Sequence, residues 1–213
     1  MKNKKNIIIS ILLTILSIVY IYVVKTIDVS SIGPNNSKVG LSKLNEGFRN
    51  IVHSNMTIYK ITEVLGYIIF IIVLFYGLIG LYQFIKRKSI FKVDKRLLLL
   101  GVLYVVLIGI YVFFEKFIIN YRPILIDGKL EASFPSSHTM LALCVCMSSI
   151  IISKKYINIK YVHKVNLITT ILMLLVLVGR LVSGVHWISD IIGGILISCT
   201  LLMYFYSINK KIV

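Results

Sequence analysis

Apolar runs long enough to cross a bilayer recur along this chain, and no other feature constrains its fold as strongly. Six can be counted, at residues 7–24, 64–85, 97–117, 135–152, 165–182 and 187–208. A hydrocarbon core takes a helix of roughly 17–25 residues to span. Inside it only helices and closed barrels satisfy the backbone, and runs that do not alternate polar with apolar are helices. The expected fold is therefore all-α, an integral membrane bundle of six transmembrane helices forming one domain over residues 1–213. The fourth and fifth runs barely reach spanning length. Lys2, Lys4 and Lys5 precede the first run in the manner of a signal peptide. That run exceeds the usual h-region and no small-residue cleavage site follows it, so it reads as a retained span.

Composition narrows the function. The chain is 58% apolar and 15% charged, against about 45–50% and 25% in soluble domains. Its net charge of +16 is spread between the apolar blocks. No compact basic domain exists to grip a duplex, so nucleic acid is not an expected partner and anionic lipid headgroups are. Cys144, Cys146 and Cys199 lie inside apolar blocks with no CxxC or Cys/His metal spacing. They read as packing residues, and neither metal nor cofactor is expected. Oligomeric state is not legible.

Orientation follows the excess of Lys and Arg in cytoplasmic loops. With the N-terminus inside, fifteen of the 24 basic residues fall in inner segments and nine in outer ones. Both termini are expected to be cytoplasmic. The longest outer connection, 25–63, carries the turn signal Gly33-Pro34-Asn35-Asn36 and then a segment, 41–52, with the makings of a short interfacial helix.

Polar residues near the membrane are costly and usually functional. They fall in three clusters: Lys116 with Arg122-Pro123, then Pro135-Ser136-Ser137-His138, then Arg180, His186 and Asp190. Each has a plain structural reading. Arg122-Pro123 alone is a span-flanking cation and a turn, Pro135-Ser136-Ser137 a helix start, and His186-Trp187 an interfacial pair. The expected topology brings all three to the outer face, and their joint chemistry is that of phosphate. Arg122 and Arg180 offer planar forks for phosphate oxygens. Ser136 and Ser137 sit at a helix N-terminus, which favours an anion. His186 and Asp190, four apart, would share a helix face. The carboxylate there can take the proton of one imidazole nitrogen and leave the other nucleophilic. His138 can serve as the general acid. Asp127 and Glu131 read as solitary, solvated loop acids.

These residues resemble the three motifs of the type 2 phosphatidic acid phosphatase (PAP2) family: Lys then Arg-Pro, Pro-Ser-Gly-His, and Ser-Arg with five residues to His and three more to Asp. The third spacing matches from Arg180 through His186 to Asp190, with Gly179 in place of the Ser. The second has Ser137 for Gly. The first is one residue short between Lys116 and Arg122. The motifs occupy 116–190. The resemblance implies a metal-independent membrane phosphatase acting on a lipid phosphate monoester or pyrophosphate outside the cytoplasm. His186 would form a phosphohistidine and Asp190 would orient it. His138 would protonate the departing oxygen and then activate water, while Arg122, Arg180 and Lys116 would hold the phosphoryl group with Ser136 and Ser137. An undecaprenyl pyrophosphate phosphatase is the alternative within the family. A transporter or a membrane scaffold is the alternative outside it.

Overall fold

The computed structural model describes residues 2–212 and is helical throughout its spans. Helix α1 covers Lys2–Thr26, α2 Ser42–Ile51, α3 Met56–Arg87, α4 Lys95–Lys116, α5 Ser137–Tyr156, α6 Ile159–Val182 and α7 Ile188–Ile212. All but α2 are long and apolar enough to cross a membrane. The six expected spans are all present, and most begin earlier or run on further than the apolar runs. Side-chain caps set three of the starts. Asn55, Asp94 and Asn158 accept N–H bonds from Ile58, Arg96 and Lys160 at the heads of α3, α4 and α6. The fourth and fifth spans are longer than the apolar runs indicate, at 20 and 24 residues. Lys154 and Lys155 end the apolar signal of α5 while its helix continues to Tyr156.

The least apolar span is also the most buried. In its most apolar 18-residue stretch α5 is 56% buried and α7 50%, against 17% for α1 and for α3. Inner helices pack against protein rather than lipid, so they carry small and hydroxyl residues where outer ones carry large apolar side chains. In α5 these are Ala142, Cys144, Cys146, Ser148, Ser149 and Ser153, all buried. Ile71, Leu78, Val105 and Ile108 on α3 and α4 are exposed to the lipid side. Helix α1 lies antiparallel on α7: Thr14 meets Tyr204 at 3.2 Å and Ser17 meets Thr200 at 3.0 Å. The two ends of the chain therefore share one end of the bundle.

The opposite end carries the loops. Residues 120–133, between α4 and α5, form a two-stranded loop through the bridges Tyr121 with Ala132 and Ile126 with Lys129. Asp127 and Gly128 turn it, both at positive φ (48° and 74°). That is the pattern of a two-residue type I′ turn, for which Asp-Gly is a favoured pair. The loop folds Arg122 back beside Glu131, whose carbonyl accepts the Arg122 N–H at 3.0 Å. The expected short helix in the long outer connection is α2, which packs on α7.

Candidate active site

Arg122 comes from the returning loop, Arg180 from the last turn of α6, His138 from the first turn of α5, and His186 from the turn joining α6 to α7. The structure brings these four together around a cavity of about 500 Å³ that Arg122, Ser137, His138 and His186 line. Arg180 is 0% exposed, and none of its three guanidinium nitrogens has a hydrogen-bond partner among the described residues. Its guanidinium carbon lies 4.7 Å from the Tyr59 ring centroid, and that of Arg122 lies 5.8 Å from the same centroid. One aromatic ring on α3 thus lies against both cations.

His186 is almost fully buried. Its Nε2 lies 3.4 Å from Arg122 Nη1, and its Nδ1 lies 3.7 Å from Asp190 Oδ2. A guanidinium only donates, so the ring nitrogen facing it must be the acceptor. That assigns the hydrogen to Nδ1, on the Asp190 side, and leaves the Nε2 lone pair toward the cavity. Burial first, and then the guanidinium charges of Arg122 and Arg180, hold the imidazole well below its ordinary pKa of 6.5. At neutral pH the ring is in its nucleophilic, neutral form.

The route from His186 to Asp190 differs from the expected one. Helix α7 begins at Ile188, so His186 stands two residues before it and the pair does not share a helix face. Instead Asp190 caps the helix. Its Oδ2 accepts the Trp187 N–H at 2.9 Å while its own N–H donates to the Trp187 carbonyl at 3.0 Å. This is the N3 half of a capping box, with the Trp187 carbonyl where an N-cap side chain would accept, and it draws His186 back over the carboxylate. Trp187 is buried, donates Nε1–H to the Tyr121 carbonyl at 2.7 Å and carries Arg49 over its ring. It is a packing anchor for the loop rather than an interfacial belt residue.

Two expected site residues, Lys116 and Ser136, stand elsewhere, and one residue read as solitary, Glu131, belongs to the cavity. Lys116 is the last residue of α4; it is exposed and does not line the cavity. The chain unwinds immediately after it, so the stretch to Arg122 is not helical. Ser136 is buried away from the cavity: its N–H donates to the Asp190 carbonyl at 3.1 Å and its hydroxyl accepts from Thr139 at 3.0 Å. It is the N-cap of α5, with Pro135 before it, outside the first turn. Glu131 is not a solitary acid, because its Oε2 lies 3.1 Å from Arg122 Nε. Ser137 does face the cavity, beside His138, whose Nδ1 is buried without a partner among the described residues.

Sequence reasoning missed Tyr59, Glu63, Tyr111 and Glu115, which line the cavity from α3 and α4. Their signal is weak, since each is one polar residue near the end of a long apolar helix. Beside this cavity lies a second, apolar groove of about 290 Å³ between α3, α4 and α5, lined by Phe70, Leu107, Ile108 and Met140. Tyr111, Ser137 and His138 border both spaces.

This fold and this set of residues define a class. Residues 112–213 match the PAP2 superfamily, and that segment contains all three motifs. Over its whole length the chain resembles the crystal structure of a transmembrane PAP2 type phosphatidylglycerolphosphate phosphatase from Bacillus subtilis, with a TM-score of 0.59 and 18% identity. The likeness covers 96% of this chain and 97% of that one, and at this identity it speaks for the fold. Among curated proteins, no sequence matches. The chain is a multi-pass membrane protein with the fold of a PAP2 phosphatase, and the resemblance read from its motifs is borne out.

Proposed function

We propose that this chain is a membrane phosphatase that hydrolyses a lipid phosphate monoester or pyrophosphate through a phosphohistidine on His186. One observation carries the reading. The lone-pair nitrogen of His186 faces Arg122 in a cavity that His138 also lines, and that cavity shares Tyr111, Ser137 and His138 with an adjoining apolar groove. A molecule with a phosphate at one end and acyl or prenyl chains at the other fits both halves, and a soluble phosphate ester fits only one.

In the first step His186 Nε2 attacks phosphorus, forming the P–N bond as the P–O bond to the lipid breaks. His138 gives its proton to the departing lipid oxygen. In the second step His138 takes a proton from water, the water oxygen attacks phosphorus, and the P–N bond breaks to release inorganic phosphate and restore His186. Asp190 balances the positive charge that His186 acquires as it attacks. The guanidinium groups of Arg122 and Arg180 stabilise the charge on the equatorial oxygens, a task that many phosphoryl-transfer sites give to a metal ion. The site faces the outer side of the membrane in this reading, with both termini in the cytoplasm.

The test is phosphate release by the purified protein in detergent, from a panel of lipid phosphates and pyrophosphates with EDTA present. Release that disappears in His186→Ala is the expected result. Activity lost in EDTA and restored by a divalent cation would overturn the mechanism. Flux across liposomes without release would move the chain to the transporter class.

A further inference from the structure

The proposed reaction needs the Asp190 carboxylate in one orientation, and the groups that impose it include two asparagines that are not among the motif residues, Asn120 between Lys116 and Arg122 and Asn45 on α2. Asp190 is 0% exposed, so each of its oxygens needs a partner. Oδ2 receives the Trp187 N–H and faces His186. Oδ1 receives Asn120 Nδ2–H at 3.2 Å and the Ser189 hydroxyl at 3.5 Å. Ser189 Oγ in turn accepts from Asn45 Nδ2 at 3.0 Å and Asn120 Nδ2 at 3.3 Å. With both acceptor positions of that hydroxyl filled, its hydrogen is left for Asp190.

Both asparagines are themselves fixed. Asn120 Oδ1 accepts the Gly40 N–H at 3.0 Å, and Asn45 Nδ2 donates to the Gly40 carbonyl at 2.7 Å. Asn45 Oδ1 accepts the Ser189 N–H at 3.1 Å. Each amide oxygen thus faces a donor and each amide nitrogen an acceptor, which settles their orientation. The shared anchor, Gly40, is pressed against the end of α1. A Cβ there would stand 1.5 Å from the Val24 carbonyl oxygen, so only glycine can bring both of its peptide groups to the asparagines. Neither asparagine lines the cavity.

We infer that Asn120 and Asn45 are positioning residues of the site: Asn120 directly, and Asn45 through Ser189, hold the Asp190 carboxylate and with it the ring of His186. The inference rests on the roles proposed for His186 and Asp190. It makes the long loop before α3, with α2, a working part of the site although it lies outside the segment that matches the family.

A double-mutant cycle on the full-length protein tests it, with kcat and KM read on p-nitrophenyl phosphate. Asn120→Ala should lower kcat roughly 10- to 100-fold, the effect of losing one hydrogen bond to a charged group. KM should stay within about twofold, because no substrate contact is removed. Asn45→Ala should lower kcat less. The combination of Asn120→Ala with Asp190→Ala should be no slower than Asp190→Ala alone, because both changes act through one carboxylate. Losses that multiply in the double variant, or a wild-type kcat in Asn120→Ala, would overturn the inference while leaving the proposed reaction intact. Full activity in Asp190→Ala would sink both. Asn120→Asp keeps the shape and the acceptor for Gly40 but not the donors, and it carries the same cycle should the alanine variant not fold.

Discussion

At the scale of single residues, the two histidines are chemically distinct, and their variants should fail differently. His186→Ala removes the nucleophile, so neither turnover nor a phosphoenzyme is expected. His138→Ala removes an acid that a good leaving group does not need. With p-nitrophenyl phosphate this variant should release a burst of phenol and then stall with phosphate on His186, as measured by rapid quench and mass spectrometry. Phosphate found on residue 138 of the wild type would reverse the assignment. The depressed pKa of His186 gives a second test. The unfolded ring takes a proton near pH 6.5, whereas the folded ring does not until well below that. Its contribution to stability is therefore fully present above about 6.5 and is lost as pH falls toward the folded value. Nitrogen chemical shifts of labelled histidine should show the His186 ring still neutral at pH values just below 6.5. A ring half-protonated at the ordinary value would contradict the burial and charge that the site imposes. The cations are unequal too. Arg122→Ala removes a donor that faces His186 and should cost about 10²–10³ in kcat. Lys116→Ala removes an exposed side chain and should change kcat by less than about threefold, in keeping with the small effects of most surface substitutions.

At the scale of elements, the 120–133 loop decides where Arg122 sits, and its turn chemistry can be tested apart from the catalytic groups. Gly128 has φ of 74°, a region that costs an ordinary L-residue about 1–2 kcal/mol. Gly128→Val should lower both the thermal midpoint and kcat/KM. Gly128→Asn should do so much less, since Asn tolerates this region. Equal behaviour of the two would mean that the turn does not set the arginine. The same loop shows what was legible beforehand. The helices were, because long apolar runs in a membrane have one structural solution. His138, His186, Arg122 and Arg180 were legible because few polar residues lie near the spans. Three-dimensional pairing was not. Glu131 looked isolated because its partner lies nine positions back across a turn. His186 and Asp190 looked like a helical pair because the spacing is four, whereas a cap and a turn bring them together. Lys116 was placed by motif spacing, which does not reveal that the helix ends at that residue. Asn45 and Asn120 gave no signal at all, being ordinary asparagines, one on the short helix α2 and one in a loop, until the fold surrounds them.

At the scale of the whole molecule, the site and the chain ends lie at opposite ends of the bundle, which makes orientation a sharp question. Helix α4, with 22 residues, is about 33 Å long, enough to separate the loop that follows it from the one before it by a full hydrocarbon core. The segment before α4 carries Lys86, Arg87, Lys88 and Lys92, the two chain ends carry Lys2, Lys4, Lys5, Lys210 and Lys211, and basic loops stay in the cytoplasm. Some positive charge at the other end is turned inward, Arg122 to the cavity and Arg180 into the protein beside Tyr59, and does not oppose that bias. A cysteine replacing the exposed Lys129 at the tip of the site loop should therefore react with a membrane-impermeant thiol reagent in intact cells. One replacing the exposed Lys92 should react only after permeabilisation. Cys144, Cys146 and Cys199 are unpaired and would first be changed to alanine or serine. The reverse labelling pattern would place the cavity in the cytoplasm, so that any lipid phosphate hydrolysed there would have to come from the inner leaflet. It would also leave the basic segments on the side of the membrane where their charge has no counterpart in the anionic leaflet.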